Sequence, residues 1–440
     1  MAKNRIKPRL FKGARDFLPE QMIHRENILA TMRAVFQKYG FEPIETPAIE
    51  YLEVLSGKYG NEADRLIYRL NYKTGTKDEA ALHYDLTVPF SRVIAMNPHL
   101  PRPFKRYQIQ PVWRADRPQP RQGRFREFYQ CDIDAIGSTS MMVDAEIIAI
   151  CSEILTELGF KGFLIKINNR KILNGLVQYI GLDASYTQEV CRSIDKLDKV
   201  SFEVVADELK GKGFTDETIA KLKSVIELEV EQTNVLEKFG ELLAGIPLAE
   251  EGLKETTDLF NYLEAMGVPR ENFSFEISLA RGLDYYTGPI FETVLPKHPH
   301  IGSLTGGGRY DELIGLFSGV ETPAVGTSLG LDRIFATMQQ LNMLGDAKSR
   351  TQALILHFPD TVMYCLDIAK KMRAVGINVE VFPNSTKIKK QFSYANKKHI
   401  PYVIVIGGRE VESGLMAVKN LATGEQETIT LETFIEQIKG

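Results

Sequence analysis

Residues 102–126, RPFKRYQIQPVWRADRPQPRQGRFR, carry eight Lys or Arg against a single Asp. A guanidinium is planar, permanently charged and forked, so this stretch is suited to hold several phosphates. A solvated surface loop is the plain alternative for any charge run. Two features argue against it. The arginines are interleaved with apolar residues at strand spacing, and EFYQCDIDAIG follows at 127–137. There Gln130, Asp132 and Asp134 alternate, which puts them on one face of a strand. Cationic donors followed by acceptors on paired strands suit a zwitterionic substrate beside a polyphosphate.

HYDLTVP, at 83–89, adds Asp85 and Thr87 on one face, although taken alone a turn or helix N-cap is the better explanation of the pair. FSFEISLA, at 273–280, alternates apolar and polar residues and predicts a strand. It runs into RGLDYYTG, at 281–288, where Arg281, Asp284, Tyr285 and Tyr286 stand together. Glycine beside Arg281 leaves room for a phosphate to come close. If the strand continues, the two tyrosines face opposite sides, one packed and one lining a pocket. A self-satisfied Arg–Asp pair with core tyrosines is the alternative.

TGGGRYDEL, at 305–313, lacks the Gly-Lys-Ser/Thr ending of a phosphate loop. Its glycines would instead let the backbone approach a flat ligand such as adenine. VGTSLGLDRI, at 325–334, sets Arg333 at a helix start. STKIKKQFSYANKKHI, at 385–400, has five lysines and no acid, with Phe392 and Tyr394 interleaved. It fits contact with RNA phosphates and bases, and fits a solvated helix face as well.

These groups need elements to hold them. Helical spacing covers 20–39, 88–96, 141–158 and 331–340. Strands are expected at 65–70, 82–86, 104–114, 124–136, 165–169, 273–280 and 290–295. FEPIETPAIE, at 41–50, is an extended segment broken by Pro43 and Pro47. From 171 to 265 Lys, Glu, Leu and Ala recur at helical spacing, which predicts a helical insertion. After the polar linker LGDAKSR, the apolar runs ALILHF, INVEVF and YVIVIGG predict a small α/β domain with a largely parallel sheet.

The chain has 440 residues, enough for about three domains. Its net charge of −3 does not by itself point to nucleic acid, so local charge must carry that argument. The four cysteines form no CxxC pair, so neither a zinc site nor a disulfide framework is indicated, and a reducing cytoplasm is expected. The basic N-terminus is followed by no apolar run, and no stretch of about 18 apolar residues predicts a membrane span.

The order of these motifs is more telling than any one of them. FEPIETPAIE, the arginine–loop–arginine element and VGTSLGLDRI resemble the first, second and third signature motifs of class II aminoacyl-tRNA synthetases. RGLDYYTG and GGGRYDEL resemble two signatures of the histidyl-tRNA synthetase family in particular. The resemblance covers nearly the whole chain. It implies an α+β catalytic core with an antiparallel sheet, a helical insertion and a C-terminal α/β anticodon-binding domain. The core would occupy 1–170 and 266–343, the insertion 171–265, the linker 344–350 and the anticodon-binding domain 351–440.

It also implies roles. Arg114 would contact the α-phosphate and the substrate carboxylate, with Arg281 against the same phosphate, the two being the catalytic pair. Arg124 and Arg333 would hold the γ-phosphate end of ATP, and Phe128 would stack on adenine with Arg333 over the other face. Asp85, Thr87 and Gln130 would bind the α-amino group of L-histidine. Asp134 and Tyr286 would reach the two imidazole nitrogens, with Tyr285 and Tyr310 shaping the pocket. Arg117 and Gln119 match positions that meet the acceptor end of tRNA(His). ATP, Mg2+ through ligands not identified, and a homodimer are the expected companions. HYDLT and Asp134 depart from the commonest bacterial pattern, Pro-Glu-Gly-Thr and glutamate, and resemble the archaeal and eukaryotic type. Each keeps a carboxylate; the shorter Asp134 calls for a shifted strand or a bridging water. A non-catalytic paralogue, regulating histidine biosynthesis or sensing uncharged tRNA, is the alternative. The retained Arg114, Gln130 and Arg281 argue against it.

Overall fold

The protein is described by a computed structural model. It describes residues 6–58, 64–71, 79–120, 123–198, 200–226, 228, 234–280, 285–346, 348–384 and 386–439. The chain divides into two compact units, Met1–Arg15 with Ile28–Met343, and Asp16–Asn27 with Leu344–Gly440.

In the first unit an eight-stranded sheet runs in the order β1-β5-β6-β11-β10-β9-β7-β8. The strands are β1 (Glu42–Pro43), β5 (Phe104–Trp113), β6 (Glu127–Ile136), β7 (Leu164–Asn169), β8 (Phe273–Phe275), β9 (Pro289–Val294), β10 (Thr305–Arg309) and β11 (Ala324–Gly330). Pairing is antiparallel from β5 across to β7, with parallel strands only at the two edges. The long hairpin β5–β6 is the arginine-rich element. Along β6, Cys131, Ile133 and Ala135 bury an apolar face, which frees the alternate positions to carry polar groups. A small antiparallel sheet of β2 (Ile49–Tyr51), β4 (Ala80–Leu82) and β3 (Arg69–Leu70) stands apart from the large one. Between 170 and 265 the described elements are all helical.

Helix Met141–Glu157 packs on β6, β10 and β11. Ser140 caps it, its side chain accepting from the Met142 N–H at 3.3 Å. The helix is tied to β10 by a buried ion pair between Arg309 and Asp144, whose Nε–Oδ1 distance is 3.1 Å. Deleting one partner of a buried pair leaves the other charge uncompensated, at about 3–5 kcal/mol. Asp144→Ala is therefore expected to lose stability on that scale in a denaturant titration. A loss below about 1 kcal/mol, the range of an exposed pair, would contradict it.

Three strand assignments shift. The strand expected at 65–70 is confined to Arg69–Leu70. The strand expected at 273–280 ends at Phe275. Asn168 Nδ2 donates to the Ile277 and Leu279 carbonyls at 3.1 and 3.0 Å, and these bonds draw the chain out of the ladder. The strand expected at 82–86 ends at Leu82, because Asp85 Oδ1 accepts from the Val88 N–H at 3.1 Å and starts helix Thr87–Met96.

The second unit is a five-stranded sheet in the order β13-β12-β14-β15-β16, comprising β12 (Ala353–His357), β13 (Val379–Val381), β14 (Tyr402–Ile406), β15 (Met416–Asn420) and β16 (Gln426–Ile429). It is mixed, not largely parallel: β12 pairs parallel with β13 and β14, whereas β14–β15 and β15–β16 are antiparallel. A tight turn closes the last hairpin, where the Asn420 N–H donates to the Glu425 carbonyl at 2.9 Å and Asn420 Oδ1 accepts from Ala422 N–H at 2.9 Å. In the basic helix Ile388–Lys398, Phe392 turns inward against the core, while Tyr394 stays exposed and donates to Glu380 at 2.9 Å. Lys387, Lys389, Lys390 and Lys397 remain exposed. Among the described residues no helix is long and apolar enough to cross a membrane. All four cysteines are buried.

Candidate active site

A cavity of about 530 Å3 opens over β6, β10 and β11, within the range that holds a small ligand. Its polar lining falls into two sets. The first is acidic and phenolic. Asp132 and Asp134 project from β6, opposite Ser328 and Gly326 on β11. Asp85 joins them from just before helix Thr87–Met96, where it accepts from the Val88 N–H and lines the cavity, and Thr87 lines it as well. Tyr310 is 1% exposed and donates its hydroxyl to Asp134 Oδ1. Tyr285 and Tyr286 stack edge-on with centroids 5.0 Å apart, and Tyr285 meets Tyr310 at 5.8 Å.

The two neighbouring tyrosines do not split between core and pocket. No strand continues through them, and both pack on the core and line the cavity. Gly308 makes this possible, since a Cβ there would lie 2.9 Å from the Tyr286 ring. The TGGG run is strand β10; Gly307 and Gly308 serve close packing against β11 and the Tyr286 ring, while Gly306 and Gly307 line the cavity.

The second set is cationic and aromatic. Arg114 follows β5. Its Nε donates to the Tyr84 carbonyl at 3.1 Å and its Nη2 to Gln130 Oε1 at 3.2 Å. The guanidinium lies 4.3 Å from the Tyr84 ring centroid and 5.1 Å from that of Phe128, so its plane is fixed between them. Gln130 Nε2 is bound in turn to Ser328 Oγ at 3.0 Å and to Asp132 at 3.2 Å, so Arg114 and the acidic set share one amide. Arg117 and Arg124 line the cavity from the hairpin loop, where Gln119 and Arg124 exchange backbone bonds of 2.9 and 3.1 Å. Gln119 stands on that loop outside the lining. Arg333, in the first turn of helix Leu331–Gln340, donates to the Ser303 carbonyl at the cavity wall. Arg281 lies outside the described residues.

Burial pushes the Asp132 carboxyl up to about 7, against the pull of Arg106, and Asp134 adds to the push. Between the unfolded value near 4 and about 7, the folded chain holds a proton that the unfolded chain has released. The favourable contribution is whole below that window and is lost as pH rises through it. Asp132→Asn removes the dependence. Its thermal midpoint relative to wild type should therefore be higher at about pH 8 than at about pH 5.5. An equal offset at both would contradict the burial argument.

The sequence pattern placed Asp132 on the right face without giving it a role, and passed over Arg106, Tyr84 and Glu292. For Arg106 a signal existed. Arg106, Gln108 and Gln110 alternate on β5 and stand opposite Asp134, Asp132 and Gln130 in the ladder. Three polar residues at period two inside a central strand mark a face turned to polar groups.

Residues 13–334 match the family model described as histidyl-tRNA synthetase. The chain belongs to the histidyl-tRNA synthetase family. Every residue of the cavity lining falls within that match. Residues 352–440 match a second model, an anticodon binding domain. A histidine–tRNA ligase of Cytophaga hutchinsonii is 44% identical over 454 residues, covering 98% of this chain and 99% of the relative. A histidine–tRNA ligase of Gloeobacter violaceus is also 44% identical, with 97% of each chain covered. A crystal structure of histidyl-tRNA synthetase from Nostoc sp. PCC 7120 superposes with a TM-score of 0.89 at 32% identity, covering 99% of each chain. The antiparallel core and separate C-terminal sheet are thus those of a class II histidyl-tRNA synthetase.

Proposed function

We propose that this chain is the ligase that attaches L-histidine to tRNA(His), by way of a histidyl-adenylate. In the first step a histidine carboxylate oxygen attacks the α-phosphorus of ATP and diphosphate leaves. In the second, a terminal ribose hydroxyl of the tRNA attacks the acyl carbon and AMP leaves. The observation that carries this reading is the junction at Gln130, where an arginine held for a phosphate and a carboxylate cluster meet in one cavity. Negative charge grows on phosphoryl oxygens as the first step proceeds, so a cation already fixed in place lowers the barrier.

On this reading Arg114 and Arg281 clamp the α-phosphate, and Arg124 and Arg333 hold the far phosphates. Phe128 stacks on adenine. Asp85, Thr87 and Gln130 take the α-ammonium, and Asp134 with Tyr286 takes the imidazole nitrogens, between Tyr285 and Tyr310. Three buried carboxylates around one space favour a substrate that brings a cation, as an amino acid does. Arg117 and Gln119, both exposed on the hairpin loop, stand where the acceptor end of the tRNA would arrive.

Among the described residues no group of three or more His, Cys, Asp or Glu forms a metal cage. Mg2+ commonly binds through one or two carboxylates plus substrate phosphates, and Glu292, a buried carboxylate on the cavity wall, fits that part. Bound there with ATP, Mg2+ would neutralise phosphate charge.

We read the insertion as 171–265 and the anticodon-binding domain as 351–440, in a cytoplasmic homodimer. Ile49, within FEPIETPAIE, and Tyr51, just after it, are both more than half exposed and support a partner surface there. Residues 352–440 disfavour the regulatory paralogue, which typically lacks an anticodon-binding domain. The direct test is ATP–diphosphate exchange. It should depend on added histidine, and exchange without histidine, or none with it, would reject the proposal.

A further inference from the structure

Arg106 is fully buried and forms no part of the cavity wall, yet its Nη2 lies 2.5 Å from Asp134 Oδ2. It faces Asp134 directly across the β5–β6 ladder. Its Nη1 donates to Gln108 Oε1 at 3.1 Å, and its guanidinium lies 4.4 Å from the Phe90 ring centroid. Gln108 donates in turn to Thr46 Oγ1 at 2.8 Å. The Thr46 backbone is gripped on both sides by Gln110, at 3.1 and 2.9 Å. Arg106 is thus held by one hydrogen bond, one ion pair and one ring, with no side open to solvent.

A guanidinium is expensive to take out of water, and a well-packed apolar residue would often be cheaper at such a position. What Arg106 touches explains its presence. Burial pushes the Asp134 carboxyl up, Arg106 is the strongest influence opposing that rise, and the Tyr310 hydroxyl is the next. Asp85 adds to the upward push. A carboxylate has about four lone-pair directions. Arg106 stands against one oxygen as an ion pair and Tyr310 donates to the other, which orients the group and leaves lone pairs for the cavity that Asp134 lines.

We propose that Arg106 is a positioning residue for amino-acid selection, holding Asp134 as an oriented carboxylate that accepts from an imidazole N–H. This rests on the histidine site proposed above. Without Arg106, Asp134 takes up a proton or turns, and the acceptor facing the ring is lost. The nucleotide half of the cavity does not touch Arg106.

The test is steady-state ATP–diphosphate exchange with wild type, Arg106→Met, Arg106→Lys, Asp134→Asn and the double variant Arg106→Met/Asp134→Asn. Arg106→Met should raise KM for histidine about tenfold or more, the factor for one charge-assisted hydrogen bond. KM for ATP should stay within about twofold, and Arg106→Lys should recover part of the loss. In the Asp134→Asn background, Arg106→Met should add no more than about twofold, since it acts through the group already changed. An equal rise in both KM values, or an undiminished effect in that background, overturns the proposal. Should Arg106→Met fail to fold, the double variant, which buries no unpaired charge, is compared with Asp134→Asn and decides by the same criterion. Wild-type exchange that ignores histidine would instead reject the underlying site.

Discussion

Arg114→Ala should cut histidine-dependent ATP–diphosphate exchange by about 10²- to 10³-fold while leaving the thermal midpoint near that of wild type. The expectation follows from how the side chain is held. Two of its five N–H groups are spent on Tyr84 and Gln130, and two aromatic rings fix the plane. The guanidinium therefore needs little reorganisation when a phosphate arrives, which is the condition under which a fixed charge favours a transition state. The position is half-buried at the cavity wall, so removing the side chain opens space without emptying a core. The loss should appear mainly in kcat. Exchange within about threefold of wild type would remove Arg114 from the chemistry, and the same assay applied to Arg281→Ala judges the proposed second arm of the clamp.

Gly326→Ala should be nearly as damaging, by a different route. A Cβ at this position would lie 2.0 Å from Asp134 Oδ1 and 2.8 Å from the Ile133 carbonyl. The backbone of β11 is paired to β6 at this point and cannot retreat without parting the ladder. The carboxylate must therefore swing away from Tyr310 and Arg106 and lose its aim at the ring. Overpacking of this kind costs about 1–3 kcal/mol of stability. Loss of a hydrogen bond to a charged group should raise KM for histidine roughly 10- to 100-fold. KM for ATP should change little, because the arginine set does not border Gly326. Equal effects on both substrates would mean that the variant distorts the sheet as a whole.

Most of the acidic wall was legible before any coordinates. Period two along 130–134 set Gln130, Asp132 and Asp134 on one face, and β6 presents them so. The helix at 331–340 and the strand at 165–169 were equally plain, since their patterns lie in single uninterrupted segments. The misplacements share one cause, the capture of backbone groups by side chains distant in sequence or by tight turns. Asn168 takes the carbonyls that a strand through 273–280 would have used. Asp85 takes the N–H that ends β4 and starts a helix.

Arg106 was missed for a related reason. Its counter-charge stands 28 residues away, and only the β5–β6 register brings the two together. An alternating polar row is visible in sequence, but its partner row is not until the strands are aligned. The RNA reading of the basic C-terminal helix was open on sequence and is narrowed by packing: Phe392 serves the core, and four exposed lysines remain.

The central claim is that one cavity reads an imidazole with its acidic wall and a triphosphate with its arginines. Charging of purified tRNA(His) by the full chain, with ATP and each of the twenty amino acids in turn, tests it most directly. Histidine alone should be attached; attachment of any other amino acid at a comparable rate, or none of histidine, would overturn this reading.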